Sequence, residues 1–297
     1  MAVNYEVLLM KVIAIGEIIF DIFGEESKIG GAPLNFCAHC ARLGAESAIV
    51  SSVGGDKLGE NALETLKNFG VKTDFVRKNA FPTGQCLVTL KNGTPEYNVL
   101  RPAAYDKITA DNDLIKEISA FNADAFAFGT LIQRDPVSRK AVNDILKNCK
   151  FPHIFCDINL RPGCFDAESS RLCLENADIL KISSEEEPLL AEFGFYEQSA
   201  DERKTVLNIC DKFPNIEILL FTKGENGSLV YRKSENGFYD VPSVKTEVVS
   251  TVGAGDSYSA AFICEYFKSG NILKAAEAGT ALSSFVVSRK EAVPMSE

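Results

Sequence analysis

Apolar runs and segments of helical periodicity alternate along most of the chain. Buried strands are predicted at 11–16, 47–53, 125–129, 153–159, 178–182, 216–222 and 228–232. Helices are predicted at 33–43, 56–69, 111–120, 136–148, 253–268 and 272–287. The first apolar run continues to Phe23, so one alternative is a longer first strand. Strands that alternate with helices form a mostly parallel sheet covered on both faces, so the pattern predicts an α/β fold with three layers.

The segment from Thr83 to Arg101 interrupts this alternation. Residues 85–90 and 96–100 have the pattern of two strands around Asn92-Gly93, a dipeptide typical of hairpin turns. We expect a small β lid beside the main sheet, formed largely by about 84–104 and nearby N-terminal strand segments. Residues 11–297 are expected to form one domain. Residues 1–9 precede Met10 and a clean strand, and are either an extension or part of an alternative start.

Composition narrows the class of partner and the compartment. The 297 residues carry 31 Lys and Arg against 41 Asp and Glu, a net charge of −10, which argues against nucleic acid or an anionic membrane as partner. Nine cysteines without a framework spacing are typical of reduced thiols in a cytosolic protein. Neither a membrane-spanning run nor a secretory signal is seen, so we expect a cytoplasmic protein.

Cys37-Ala-His-Cys40 has the spacing of half a metal site, yet no second ligand pair with suitable spacing follows it. The alternative is that two small thiols three residues apart pack one face of a helix.

The segment most informative about chemistry is Ser250-Thr-Val-Gly-Ala-Gly-Asp256. Gly253, Ala254 and Gly255 leave room for backbone N–H groups to converge on an anion at the start of a helix. Asp256 is then placed to accept a proton from a hydroxyl that attacks a bound phosphate. The alternative is that Asp256 only caps the helix.

A second glycine pair precedes the first helix, in Gly30-Gly-Ala-Pro-Leu-Asn35. Glycines allow the backbone to approach a ligand, and Asn35 offers a donor and an acceptor to a sugar hydroxyl. The alternative is a simple turn that leads into a helix beginning near Pro33. Asp21 closes an apolar strand, where open α/β sheets bind ligands. The chain has neither the GxxxxGK[ST] phosphate loop nor a dinucleotide fingerprint after the first strand.

Together these segments resemble the ribokinase/PfkB family of carbohydrate kinases, from about Lys11 to Pro294. The family's N-terminal signature is resembled here by Gly30–Asn35 together with Val53-Gly-Gly-Asp56-Lys-Leu-Gly59. Its C-terminal signature is resembled by Ser250–Asp256. Within the family, the chain most resembles fructokinases. Three segments carry this resemblance, namely Gly30-Gly-Ala-Pro33, Arg101-Pro-Ala-Ala-Tyr-Asp106 and Asp157-Ile-Asn-Leu-Arg-Pro162. The resemblance implies a ribokinase-like α/β/α fold with a β-sheet lid, and a homodimer through the lid is an open alternative.

The resemblance also implies roles for individual residues. Asp256 would be the base, with Gly253, Ala254 and Gly255 forming the anion hole. The sugar would be held by Asp21, Gly30, Gly31, Asn35, Arg101 and Arg161. The nucleotide would be held by Lys181, Ser183, Thr222, Gly224 and Gly227, with adenine bordered by 279–283. Glu186 would hold Mg²⁺ through water.

Two departures from the family pattern concern the ions and the phosphates. Ser183 stands where the family has Asn, which implies a shorter or water-mediated phosphate contact. Ser250 stands where an Asp supports a monovalent-cation site in some members, so K⁺ is left open as a cofactor beside ATP and Mg²⁺.

The function expected from the sequence is transfer of the γ-phosphate of ATP to a hydroxyl of a small sugar, with fructose favoured. A kinase for a 2-keto-3-deoxy sugar acid or another PfkB-family substrate is the nearest alternative, because Arg101 and Arg161 could pair a carboxylate. A catalytically silent sugar-binding regulator is a remote one.

Overall fold

A computed structural model describes residues 9–91 and 94–294 of the chain. The strands in this part are β1 (Lys11–Ile15), β2 (Ile19–Phe23), β3 (Glu26–Gly30), β4 (Glu46–Gly54), β5 (Val76–Asn79), β6 (Gly84–Lys91), β7 (Thr94–Val99), β8 (Ala125–Phe128), β9 (His153–Asp157), β10 (Ile179–Ser183), β11 (Ile218–Thr222), β12 (Ser228–Arg232) and β13 (Gly237–Val241). The helices are α1 (Ala32–Arg42), α2 (Lys57–Asn68), α3 (Asn112–Phe121), α4 (Pro136–Asn148), α5 (Ala167–Asn176), α6 (Glu187–Ala191), α7 (Glu202–Lys212), α8 (Ala254–Ser269) and α9 (Ile272–Val287).

Nine of the described strands form one large sheet in the order β13-β12-β11-β10-β9-β8-β1-β4-β5. Neighbouring strands from β11 to β5 are parallel, whereas β12 and β13 are antiparallel additions at one edge. Parallel strands need crossover connections, and helices supply them between successive strands of the sheet. The predicted α/β fold with a mostly parallel sheet is confirmed.

The sheet is the middle one of three layers because both of its faces are apolar. Along β1, Ile13 and Ile15 join a core cluster that also contains apolar residues of α3, α4, α5 and α7. Val12 and Ala14 belong to a second cluster with residues of α1, α2, α8 and α9. Successive side chains of a strand point to opposite faces, so this alternation places one group of helices on each side.

A second, four-stranded sheet has the order β3-β2-β6-β7. The β6–β7 hairpin lies where it was predicted, although its turn at Asn92-Gly93 is outside the described residues. The predicted extension over 1–9 is also outside them, apart from Leu9. That this sheet acts as a lid, and that 11–297 form one domain, stay predictions.

The alternative of a first strand that continues to Phe23 is wrong, and Asp21 therefore has a different position from the one expected. The chain leaves the large sheet after Ile15, and Ile19–Phe23 pairs instead with β3 and β6 in the second sheet. Asp21 therefore does not lie at the end of a central strand. It stands in the small sheet, opposite Lys28 on one side and Cys86 on the other. A continuous apolar run does not show at which residue the chain changes sheets.

Candidate active site

A cleft of about 430 Å³ lies at the carboxyl ends of the central strands, between the first turns of α1 and α8. Its polar lining comes from the end of β9, from residues that follow β1, β8 and β9, and from α8, namely Glu17, Thr130, Asp157, Asn159, Asp256 and Ser259. Its apolar part includes Ala14, Ala127 and Phe155. Open α/β sheets bind ligands beyond the carboxyl ends of their strands, so this cleft is the candidate site.

Asp256 lies in the first turn of α8, beneath the cleft. The helix begins at Ala254 after Gly253, whose φ of 81° is in the left-handed region. A Cβ atom on Gly253 would also lie 2.7 Å from the Cβ of Ala292, so both the backbone conformation and the space require glycine. The first N–H groups of a helix have no acceptor within it, so this turn presents donors to an anion.

The carboxylate of Asp256 is held by Asn35 of α1, whose Nδ2 donates to its Oδ2 at 2.8 Å. Burial raises the pKa of Asp256 to about 6; the hydrogen bond from Asn35 lowers it, the charge of Asp157 raises it, and Lys181 and Arg161 lower it. A carboxylate with a pKa near 6 is a better proton acceptor than an ordinary aspartate and is still mostly ionised at neutral pH.

A buried ion pair supports the same turn of α8. Lys181 in β10 donates to the Oδ2 of Asp157 in β9 at 2.8 Å, and the hydroxyl of Ser259 donates to the same oxygen at 3.3 Å. Burial lowers the pKa of Lys181, but the carboxylates of Asp157 and Glu186 outweigh it and the net pKa is raised. The ammonium lies beside Gly255, where a Cβ atom would be only 3.1 Å from Nζ. A fixed positive charge therefore stands next to the helix start.

The Gly30–Asn35 segment is pressed against the residues that follow β1. Gly31 has a φ of 117°, and a Cβ atom there would lie 2.4 Å from the carbonyl oxygen of Glu17. The carboxylate of Glu17 accepts a hydrogen bond from the N–H of Ala32 at 3.0 Å. The predicted turn thus exists, and it carries Asn35 to Asp256. The oxygen of that amide, Asn35 Oδ1, is buried and has no hydrogen-bond partner among the described residues.

None of the predicted sugar-binding residues is among those that line the cleft. Gly30, Gly31 and Asn35 are next to lining residues at the start of α1. Asp21 lies in the second sheet, Arg101 follows its strand β7, and Arg161 follows β9. Both arginines are exposed, and Arg101 donates to the carbonyl of Gly163 at 2.8 Å. Burial raises the pKa of Asp21 and the charge of Arg161 lowers it. Arg161 has the same lowering effect on Asp256, so its charge reaches both groups.

Ser183 and Glu186 form a compact unit after β10. The Oε2 of Glu186 accepts from the N–H and the hydroxyl of Ser183 at 2.9 and 2.8 Å, and its Oε1 accepts from the N–H of Leu160 at 2.8 Å. In the described part of the chain, no group of three or more His, Cys, Asp or Glu side chains could ligate a metal directly. That Glu186 holds Mg²⁺ through water stays a prediction. The buried Oδ1 of Asp157, which has no partner among the described residues, leaves an acceptor for a polar ligand or water.

The other predicted nucleotide residues form a turn beside Ser183. The N–H of Ser184 donates to the carbonyl of Thr222 at 2.8 Å, which joins the two strand ends. Gly224 and Gly227 shape the turn between β11 and β12, and both have positive φ. A Cβ atom on Gly227 would lie 2.1 Å from the carbonyl of Val241. In α9, Gly279 packs against the ring of Tyr258.

The alternatives for Cys37 and the K⁺ question also have structural counterparts. Cys37 and Cys40 are buried on α1, and the thiol of Cys37 donates to the carbonyl of Ala48 in β4 at 3.2 Å. The hydroxyl of Ser250 accepts from the N–H of Val252 at 3.3 Å, a local contact with no carboxylate in it.

Sequence reasoning gave no role to Glu17, Asp157 or Ser259. Glu17 lies within an apolar run and therefore does not stand out in the sequence. An acid that interrupts such a run directly after Gly16 is nevertheless a signal for a functional residue. Asp157 stands in the Asp-Ile-Asn-Leu-Arg-Pro segment, but its pairing with Lys181 depends on the parallel register of β9 and β10.

Comparisons with known proteins agree with this geometry. The model of the pfkB family carbohydrate kinases matches residues 11–297. A 5-dehydro-2-deoxygluconokinase from Geobacillus thermodenitrificans is 28% identical over 88% of this chain and 78% of its own length. A probable fructokinase-5 from Arabidopsis thaliana is also 28% identical, over 88% of this chain and 84% of its own length.

Solved structures share the fold. A sugar kinase from Pyrococcus horikoshii in complex with ATP aligns with a TM-score of 0.79 at 25% identity, over 95% of this chain and 94% of that one. A fructokinase with bound ATP from Xylella fastidiosa aligns with a TM-score of 0.81 at 20% identity, over 95% and 94%. With the family match over nearly the whole chain, these findings show that the protein belongs to the pfkB family of carbohydrate kinases and is an ATP-dependent enzyme of that family.

Proposed function

We propose that this kinase transfers the γ-phosphate of ATP to a hydroxyl of a neutral sugar, with fructose as the favoured acceptor. The observation that carries the proposal is the chemistry of the cleft. Its polar lining consists of three carboxyl side chains, one amide and two hydroxyls, and no Lys or Arg is among the described residues that line it. Such a lining accepts hydrogen bonds from hydroxyl groups and repels a carboxylate.

In the proposed mechanism, the sugar hydroxyl donates its proton to Asp256 as its oxygen forms a bond to the γ-phosphorus. The bond from that phosphorus to the bridging oxygen breaks, and ADP leaves. The N–H groups of the first turn of α8 and the ammonium of Lys181 stabilise the negative charge on the transferring group. Mg²⁺, held through water by Glu186, supplies further neutralisation of the phosphates when it is bound.

Orientation is supplied by residues that touch each other across the cleft. Asn35 holds one oxygen of Asp256 and keeps its own Oδ1 for the sugar. Ser259 and Lys181 fix Asp157, whose Oδ1 is a second acceptor for a hydroxyl. A site that pairs buried hydroxyls rejects analogues that lack them, because its own polar groups are then left without partners.

A sugar acid is the second candidate, because a relative at 28% identity is a 5-dehydro-2-deoxygluconokinase. Arg101 and Arg161 could pair a carboxylate, but both lie outside the cleft and are exposed. An acid could therefore bind only if its carboxylate points toward the second sheet, away from the three buried carboxyl groups.

The test is a coupled assay of ADP release with fructose, ribose, adenosine and ketodeoxygluconate. We expect fructose to give the highest kcat/KM. Asp21→Ala should lower kcat/KM for the sugar far more than for ATP. If ketodeoxygluconate is the better acceptor and Arg161→Ala removes that preference, the sugar-acid candidate replaces fructose.

The role of Asp256 is tested separately with Asp256→Asn. This change keeps the shape of the side chain but removes the base, so turnover should fall by roughly 10²–10⁴ while both substrates still bind. Turnover close to that of the wild type would show that Asp256 only caps the helix.

A further inference from the structure

Glu17 is a buried carboxyl group that the proposed mechanism does not use. It follows β1 after Gly16, is only 3% exposed and lines the same cleft as Asp256. No Lys or Arg of the described residues forms an ion pair with it. A carboxylate is rarely buried without a cation, so its presence here needs a reason other than packing.

The contacts of Glu17 show what it does for α1. The helix begins after Gly31, which has no side chain that could cap it. The Oε1 of Glu17 accepts the N–H of Ala32 at 3.0 Å, so a residue from another segment takes the place of the missing cap. A negative charge at the N-terminal end of this 11-residue helix also interacts favourably with the helix dipole.

The two segments are in contact without space between them. A Cβ atom on Gly16 would lie 2.1 Å from the Cγ of Pro33, and one on Gly31 would lie 2.4 Å from the carbonyl oxygen of Glu17. A shift of Glu17 is therefore passed directly to the first turn of α1. Asn35 lies in that turn, and its N–H donates to the carbonyl of Gly31 at 2.9 Å.

We propose that Glu17 is a positioning residue for phosphoryl transfer: its carboxylate caps α1 and so holds the amide of Asn35 against Asp256. The inference rests on the proposed role of Asp256 as the base. Its geometric basis is the sequence of contacts from Glu17 to Ala32, along one turn of α1 to Asn35, and from Asn35 to Asp256 at 2.8 Å.

The electrostatic surroundings agree with a role in function. Burial raises the pKa of Glu17 to about 7, backbone hydrogen bonds lower it, the charge of Asp256 raises it and that of Arg161 lowers it. Asp157 lines the same cleft, and Glu17 in turn raises the pKa of the buried Tyr105. A cap chosen for stability alone could be a neutral side chain. A carboxyl group in this place makes the position of α1 depend on the protonation of the cleft.

The experiment compares Glu17→Ala with Glu17→Gln, using fructose or the best acceptor from the substrate panel. Loss of the cap should lower kcat in Glu17→Ala by about 10–100-fold, since a misplacement near 1 Å can cost that much. KM for ATP should stay within about twofold, because none of the residues assigned to the nucleotide lies on β1 or α1. Glu17→Gln keeps an oxygen for Ala32 and should recover part of the loss.

The matched control is Asp111→Ala, which removes the cap of α3 (Asp111 accepts from the N–H of Leu114 at 2.8 Å). Helix α3 carries no residue assigned to the site, so this variant should lose stability without losing kcat. If Glu17→Ala does not fold, Glu17→Gln decides. The wild-type carboxylate carries its charge only above its pKa of about 7, so the ratio of wild-type kcat to that of Glu17→Gln should be larger at pH 8.5 than at pH 6, a pH dependence that a purely structural role would not cause.

The proposal is overturned if folded Glu17→Ala keeps kcat within twofold of the wild type, if Asp111→Ala lowers kcat equally, or if Glu17→Gln has the kcat of the wild type at both pH 6 and pH 8.5. Asp256→Asn separates the two ideas. If that variant is inactive while Glu17 variants are normal, only the Glu17 inference fails; if it is active, the base assignment fails.

Discussion

The hydrogen bond between Asn35 and Asp256 gives a prediction with a defined sign. In the near-isosteric variant Asn35→Leu, the carboxylate loses the donor at 2.8 Å but stays buried beside Asp157. A hydrogen bond to a charged group contributes about 1.5–3 kcal/mol, which corresponds to about one to two pKa units. The pKa of Asp256, about 6 in the wild type, should therefore rise.

The measurement is kcat/KM for the sugar between pH 5 and pH 9 at constant ionic strength and saturating ATP. The base must be ionised to act, so activity is lost as the pH falls through its pKa. The midpoint of the acidic limb should move from near 6 to about 7–8 in the variant. Binding of the sugar will also weaken, but that lowers the whole profile and does not move the limb.

Asn148→Ala is the matched control, since Asn148 is an exposed amide at the end of α4 that donates to the carbonyl of Asp144. Its profile should coincide with that of the wild type. A midpoint for Asn35→Leu that is unchanged, or that moves to lower pH, would refute the reasoning. In that case either the hydrogen bond is not formed in the working enzyme or another group is the base.

The remaining predictions follow from close contacts, local charge and burial. Gly255→Val should abolish turnover with the circular dichroism spectrum retained, because even a Cβ atom would lie 3.1 Å from the ammonium of Lys181; normal kinetics would contradict the anion hole. Gly31→Ala should lower the thermal midpoint, because its φ of 117° and a contact of 2.4 Å to the carbonyl of Glu17 both exclude a side chain; an unchanged melting curve would contradict that packing. Since Ser250 offers no carboxylate, replacing K⁺ by tetramethylammonium should change kcat less than about twofold, and strong K⁺ activation would contradict this interpretation. Glu17→Gln should raise the free energy of unfolding at pH 8 but not at pH 4: the folded pKa of about 7 exceeds the ordinary 4.5, so the wild type loses stability, by up to about 3 kcal/mol, as the pH rises through that range. Chemical denaturation at the two pH values measures this difference, and equal effects at both would contradict the raised pKa.

The central strands were predictable because each is a short apolar run bounded by helices, and a parallel sheet buried on both faces needs that composition. Three edge strands, β3, β5 and β13, were not predicted. β3 (Glu26–Gly30) is polar and mostly exposed, and β5 and β13 are also largely accessible, so no hydrophobic alternation marks them. α5 was missed as well, although Asp166 and Ser169 form a capping box at its start.

The site was predictable where one segment carries the chemistry. Gly253, Gly255 and Asp256 are adjacent in sequence, so small residues before an acid at a helix start could be interpreted without the fold. Glu17 and Asp157 could not be assigned in this way. Asp157 pairs with Lys181 because of the register between β9 and β10. Glu17 accepts a hydrogen bond from Ala32 because the chain leaves the large sheet after β1 and returns to it.

The cleft concentrates negative charge in a place where burial makes that charge unfavourable. Glu17 and Asp256 are both buried, and burial raises the pKa of each. Both groups are ionised in the unfolded chain at neutral pH, so folding has to bury charges that the interior disfavours, with Lys181 and Arg161 offsetting part of the cost for Asp256. Replacing either carboxyl group by its amide should thus favour folding and impair turnover together. That opposition is expected where residues are retained for chemistry, and it separates these two positions from the capping aspartates of α2 and α3, whose removal should cost stability alone.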